Sequence, residues 1–249
     1  MIKLLSTLFI IASLSGCATN DYKNFYSEYA DPKTLPNLEE LKPGQEPELY
    51  TSNNLGQDVL TMRSKGYAVI GESAFNADHE DPAKAIMQAK AVGATVILVN
   101  VEYTNTESST TPLLLPNNQT TYFAGGAATT YGTVVVPISS NTRRYDQFGV
   151  YFAKWKEKAR FGIQGRDLTP VLRRELERNT GMLIEVVVED TPAFDANVIA
   201  GDVLIEVNGK TIRDYDAAAK ILGAVPESAE SAVITIIRNG EEEDITVTF

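Results

Sequence analysis

Thr191-Pro-Ala-Phe-Asp-Ala-Asn-Val-Ile-Ala-Gly-Asp-Val-Leu-Ile-Glu-Val-Asn-Gly-Lys-Thr211 is the most strongly punctuated stretch of this 249-residue chain. Thr-Pro opens a turn and a short helix follows; the pair Gly201-Asp202 breaks it. The β-branched run Val203–Val207 reads as a strand, and Asn208-Gly209 as the tight turn into the next one. Working outward, Met182–Glu189 before it and Ser231–Arg238 after it have strand composition, and Asn239-Gly240 turns the latter into a closing hairpin with Glu243–Phe249. Between them Tyr215–Gly223 is helical, with Tyr215, Ala219 and Leu222 at i, i+4 and i+7 on one face. On spacing alone that face is better explained by packing in a core than by a binding role.

The quoted stretch resembles the centre of bacterial PDZ domains, which reads Ser-Pro-Ala, two variable residues, Ala-Gly-Leu, two more, Gly-Asp and two apolar residues, then Val-Asn-Gly. Thr191 stands for Ser and Asn197-Val198 for Gly-Leu; Asn tolerates the left-handed backbone that Gly would supply. The likeness runs from about Arg160 to Phe249, in the order found in the PDZ domains of periplasmic high-temperature-requirement proteases. It implies a partly open barrel capped by two helices. Arg160-Phe161-Gly162-Ile163 resembles the loop that receives a peptide carboxylate, where glycine lets backbone N–H groups converge on an anion. Ile163 and the residues after it would offer a strand edge for peptide addition. By resemblance the groove is then walled by Phe161, Gly162 and Ile163 on one side and by Tyr215, Ala219 and Leu222 on the other.

Upstream, the fold class expected is α/β (α+β) with two domains: a small α/β sandwich over 48–158, then the PDZ domain over 159–249. Leu55, Val59 and Met62 share one face of a helix capped by Asn53 or Asn54. A strand Tyr67–Gly71, an acidic loop Asn76–Asp81 and a helix from Pro82 to Gly93 lead to Thr95–Val101, an unbroken apolar run suited to a strand covered on both faces. The two strands on either side of that helix are expected to pair in parallel. Residues 104–132 form a Thr/Ser/Asn/Gly-rich tract, a long hairpin or a mobile loop, and Thr133–Ile138 and Gln147–Trp155 read as two more strands. Small α/β domains of envelope lipoproteins have a similar Gly66-Tyr67 to Gly93-Ala94 phrasing, and no activity comes with that likeness.

The first residues, Met1-Ile2-Lys3 and the apolar run Leu4–Leu14, are too short to span a bilayer and read as a secretory signal over 1–16. Leu14-Ser15-Gly16-Cys17 resembles a lipobox, which implies cleavage before Cys17 and acylation of its sulfur; Ala18 after it implies sorting to the outer membrane, facing the periplasm. Cys17 is the sole cysteine, so an internal disulfide is excluded. Residues 17–47, polar with scattered aromatics at Tyr22, Phe25, Tyr26 and Tyr29, read as a tether between lipid and domain, its aromatics able to dock on the folded part.

A formal charge of -11 with no basic cluster argues against a nucleic-acid partner. The single histidine, His79, excludes His-Glu-x-x-His, and neither Gly-Asp-Ser-Gly nor Asp-Thr-Gly occurs, so the protease chemistries that accompany PDZ domains lack their residues. Asp78-His79-Glu80-Asp81, with Glu72 nearby, reads as a solvated loop with a helix cap, in preference to a metal or acid–base site. The expectation is therefore a lipid-anchored adaptor that binds extended or C-terminal peptide, without cofactor, metal or catalytic residues. Two alternatives stand beside it: an assembly lipoprotein with a filled groove, or a hydrolytic or metal-dependent activity in the α/β domain.

Overall fold

The computed structural model describes residues 19–123 and 126–249. The signal segment and Cys17 lie outside them. Among the described residues, no helix is long and apolar enough to cross a membrane.

Two sheets organise the chain. The first comprises β1 (Tyr26–Glu28), β2 (Glu48–Thr51), β3 (Tyr67–Ala77), β4 (Val96–Phe123) and β5 (Gly126–Lys154), ordered β1-β3-β5-β4-β2. Its helices are α1 (Asp21–Asn24), α2 (Leu55–Ser64) and α3 (Pro82–Val92). The run Val96-Ile97-Leu98-Val99 is buried throughout. Period-two alternation divides it: Ile97 and Val99 pack with Ala85, Ala89 and Tyr151 under α3, while Val96 and Leu98 join Phe152 beneath Leu55, Val59 and Met62 of α2. The helix ends follow their residues. Asn54 and Asp81 accept from backbone N–H groups of the first turns of α2 and α3, and Gly93 closes α3 at φ 74°.

Three expectations are corrected here. β3 and β4 run in the same direction but are not neighbours: both pair antiparallel with β5, which lies between them, and the parallel neighbour of β4 is β2. The two strands expected at Thr133–Ile138 and Gln147–Trp155 are one strand, β5, which with β4 makes a long hairpin of the polar tract. Much of the expected tether is packed on the sheet. Tyr22 and Leu38 are buried, β1 pairs with β3, and the Tyr22 ring lies where a side chain at Gly149 would stand, 3.1 Å from an added Cβ.

The second sheet runs β11-β10-β8-β7-β6, with β9 on β8. Its strands are β6 (Ile163–Asp167), β7 (Met182–Val187), β8 (Val203–Val207), β9 (Lys210–Thr211), β10 (Ser231–Arg238) and β11 (Glu241–Thr248). α5 (Pro192–Asp195) and α6 (Tyr215–Gly223) close over one face, on a core of Ile184, Leu204, Val207, Ile234 and Ile236. α4 (Pro170–Glu175) borders the other face, where Leu172 packs with Leu168, Val203, Ile205 and Ile237. The Thr191–Thr211 stretch is tied to the closing hairpin through Asp202, and each of the two carries an Asn-Gly turn. Buried Asp202 accepts from Ile199 N at 2.9 Å and receives the fork of Arg238, with Nε to Oδ1 at 2.8 Å and Nη2 to Oδ2 at 2.6 Å. Asn208-Gly209 and Asn239-Gly240 both hold positive φ, as two-residue hairpin turns require.

Candidate peptide-binding groove

β6 ends its sheet, so its outer edge is free among the described residues. Val188 N donates to Gly162 O at 2.8 Å, which makes Ile163 and Val187 a non-hydrogen-bonded pair. The N–H and C=O of Ile163 consequently face the free edge rather than β7. α6 stands alongside, and Asp167 fixes its start by accepting from Tyr215 N at 2.7 Å. Asp214 caps the helix through Ala217 N. Ala218 of α6 goes into the core; Leu222, one turn on, is partly buried against the same core, while Tyr215 and Ala219 beside it are exposed.

Ile163, Tyr215, Ala219 and Leu222 line one cavity of about 1420 Å³ together with Gly165 and Met182. Four of the six residues expected in the groove are thus brought together. The other two play different parts. Phe161 is buried and packs edge-on against Phe249 at 4.8 Å between centroids, so its side chain belongs to the core, and its carbonyl accepts from Ala193 N. Gly162 has φ +80°, and a Cβ there would lie 1.9 Å from Thr191 Oγ1. The glycine is therefore dictated by contact with the α5 turn as well as by the loop, since Thr191 Oγ1 is itself tied to Val188 O at 2.6 Å. Arg160 holds the loop from behind, donating to Val225 O and Ala229 O and lying 4.1 Å from the Phe249 ring centroid.

Sequence reasoning missed the opposite wall. The same cavity is lined by Leu55, Gly56, Val59 and Arg63 of α2 and by Tyr67, Val69 and Val150 of the first sheet. Arg63 Nε donates to Gln164 Oε1 at 2.9 Å and Glu189 N donates to Ser64 O at 2.7 Å, which seats α2 against β6 and the end of β7. Leu55, Val59 and Met62 were legible as a helix face; that part of this face looks onto another domain was not.

The acidic loop offers no converging donors. Asp78 accepts from His79 N, Glu80 pairs with Lys84 at 2.7 Å, Asp81 caps α3, and His79 lies edge-on to Tyr145. Among the described residues no grouping of His, Cys, Asp and Glu has the arrangement of a metal site.

The family model described as "PDZ domain" matches residues 159–249. The C-terminal unit is a PDZ domain. Its likeness in sequence is to proteins described as probable periplasmic serine endoproteases, DegP-like. That of Brucella suis biovar 1 (strain 1330) is 33% identical over 96 residues, 37% of this chain and 18% of the relative; that of Marinomonas sp. (strain MWYL1) is 34% identical over 74 residues, 30% and 16% respectively. The chain thus spans under a fifth of these relatives, and no protease domain is evident in the match. Among solved structures, the HtrA3 PDZ domain bound to a phage-derived ligand (FGRWV) is 20% identical, with 35% of this chain and 81% of that one covered at a TM-score of 0.31. A PDZ domain is a binding unit, not a catalytic one.

Proposed function

We propose that this chain is a lipid-anchored envelope protein whose PDZ domain takes the extended C-terminal segment of a partner protein and acts as an adaptor or scaffold. One observation carries the reading: the free edge of β6, with the N–H and C=O of Ile163 turned outward, stands beside α6 over an open cavity whose apolar side chains, Ile163, Met182, Ala219 and Leu222 among them, are accompanied by charged ones such as Arg63, Lys154 and Glu189. A peptide strand laid there completes the hydrogen bonding that the edge lacks, and its side chains find Ile163, Met182, Ala219 and Leu222. The cavity beside α6 favours this reading over packing-only assembly with a filled groove. Leu14-Ser15-Gly16-Cys17 supports acylation at Cys17, and the periplasmic DegP-like relatives support an envelope location, with Ala18 favouring the outer membrane. The acidic balance of the chain disfavours nucleic acid as a partner.

The test is fluorescence anisotropy with an end-labelled peptide library, each sequence offered with a free carboxylate and as the amide. Free-carboxylate peptides are expected to bind with micromolar affinity and the amides at least tenfold more weakly. Ala219→Glu, on the exposed flank of α6, adds a charge to the groove without touching the core and should abolish binding. Unchanged binding by that variant would remove the groove assignment.

A further inference from the structure

An isolated PDZ groove leaves half of a bound strand's side chains in water, because successive residues point to opposite faces of the sheet they join. In this chain the other half has a wall to meet. On β6, Ile163 packs against the PDZ core, whereas Gln164, one residue on, receives Arg63 of α2 at 2.9 Å. Residues paired directly across adjacent strands share a face. A peptide residue opposite Ile163 therefore enters the PDZ domain, and one opposite Gln164 is directed toward α2 and the first sheet.

We infer that the first domain is the second half of the peptide site, and that the chain selects C-terminal segments whose consecutive side chains are apolar on both faces of the strand. This deepens the proposed function and rests on it. The cavity beside β6 is continuous, at about 1420 Å³, with Leu55, Val59, Val69 and Val150 on the side away from the PDZ domain. That is larger than the roughly 300–1,000 Å³ of small-ligand sites and has room for a strand with both rows of side chains. The wall is an incompletely covered surface: no residue of α2 is fully buried, although Leu55, Val59 and Met62 carry its apolar stripe. It is also fixed in place, because Arg63 reaches both Gln164 and Glu185, and Ser64 O accepts from Glu189 N.

The experiment uses the full chain and two sets of labelled free-carboxylate octapeptides. In one set the last four residues alternate apolar and serine, keeping apolar the positions that face the PDZ domain; in the other all four are apolar. The second set is expected to bind about tenfold tighter, the order expected when one or two more aliphatic side chains leave water. Gly56→Glu is the diagnostic variant. Gly56 lines the cavity with nothing within 4 Å of an added Cβ, so the substitution adds charge to the wall without a clash. It should reduce the tenfold preference to about twofold and leave the alternating peptides unchanged; Val59→Ser should act in the same direction. A general loss of fold lowers both affinities together and leaves their ratio intact, so the ratio isolates the wall. Equal binding of the two sets by the unaltered chain, or an unaltered ratio in Gly56→Glu, overturns the inference while the PDZ groove stands. If no free-carboxylate peptide binds at all, the proposed function falls and this inference with it.

Discussion

Two hairpins of this chain use the same antiparallel pairing in opposite surroundings. In β10–β11, Ala232, Ile234, Ile236 and Val247 are buried in the PDZ core while the intervening residues face outward. The alternation of the sequence matches the pleat, so burial fixes the register as well as the pairing. Over 105–115 and 133–144 the β4–β5 hairpin has no such support among the described residues. Leu113-Leu114-Leu115 lies opposite Val134-Val135-Val136 in runs without alternation, and Leu114 and Val135 are 63% and 58% exposed. Apolar side chains consequently occupy both faces of a ribbon held by strand pairing without burial to fix it, a marginal arrangement in water. The lesson is that hydrophobic content does not stabilise a strand unless its period matches a face that something covers.

The largest test of that contrast lies at the PDZ end. Asp202→Ala would take the forked partner from the Arg238 guanidinium, which keeps only Glu243 and Asn197 O, and leave Ile199 N without an acceptor, and should lower unfolding free energy in urea by about 2–3 kcal/mol. A loss below about 1 kcal/mol would mean that the Gly-Asp signature is ornamental. Next, Ile234→Ala is expected to cost about 3 kcal/mol, whereas Leu114→Ala on the ribbon should stay within about 0.5 kcal/mol in the same urea titration. Comparable losses at both sites would show that the ribbon is packed against a partner in solution.

Alkali should separate the two domains. Burial, reinforced by Glu80, pushes the Tyr22 phenol up to about 12, and burial beside Glu28 and Asp31 does the same for Tyr26, while burial raises Tyr151 as well. A raised folded-state value means that the neutral phenol is favoured by folding. The stabilisation is complete below the ordinary tyrosine value of about 10 and is lost as pH rises from there through about 12. The first domain should therefore lose on the order of 2 kcal/mol at the buried Tyr22 across that window and less at the part-exposed Tyr26, where solvent screens the charge, followed by near-ultraviolet circular dichroism, and Tyr22→Phe should remove the larger increment. The smallest effect expected is from replacing residues 107–142 by Asn-Gly, which keeps the Thr106 and Arg143 pair as the closing one. Differential scanning calorimetry should find both domains within about 0.5 kcal/mol of the parent.

The PDZ fold was legible because its information is local: Asn-Gly turns, a Gly-Asp break and the Tyr215, Ala219, Leu222 stripe each fall within a few residues. Phe161 was misplaced because the loop wording says where the backbone turns and not which side chain enters the core. The N-terminal segment, read as a tether whose aromatics could dock, was only partly legible for the opposite reason. Its sockets are absences, Gly71 under the Tyr26 hydroxyl and Gly149 under the Tyr22 ring, far along the chain and looking only like weak points in strands. The insertion of β5 between β3 and β4 and the facing of α2 toward β6 are likewise decided by long-range packing, which no local pattern encodes.

Helix α2 belongs wholly to neither core: its apolar stripe is half covered by the first sheet, and its last turn is fastened to the PDZ domain through Arg63 and Ser64. Segments of this kind lie at the low end of local opening free energies, because little buried surface opposes their fraying. Its amides should then exchange with deuterium well before those of Ile97, Ile234 or Leu204, and should slow when the cleft is occupied. That makes α2 a built-in reporter, read by mass alone, of whether the two domains are clasped around a strand.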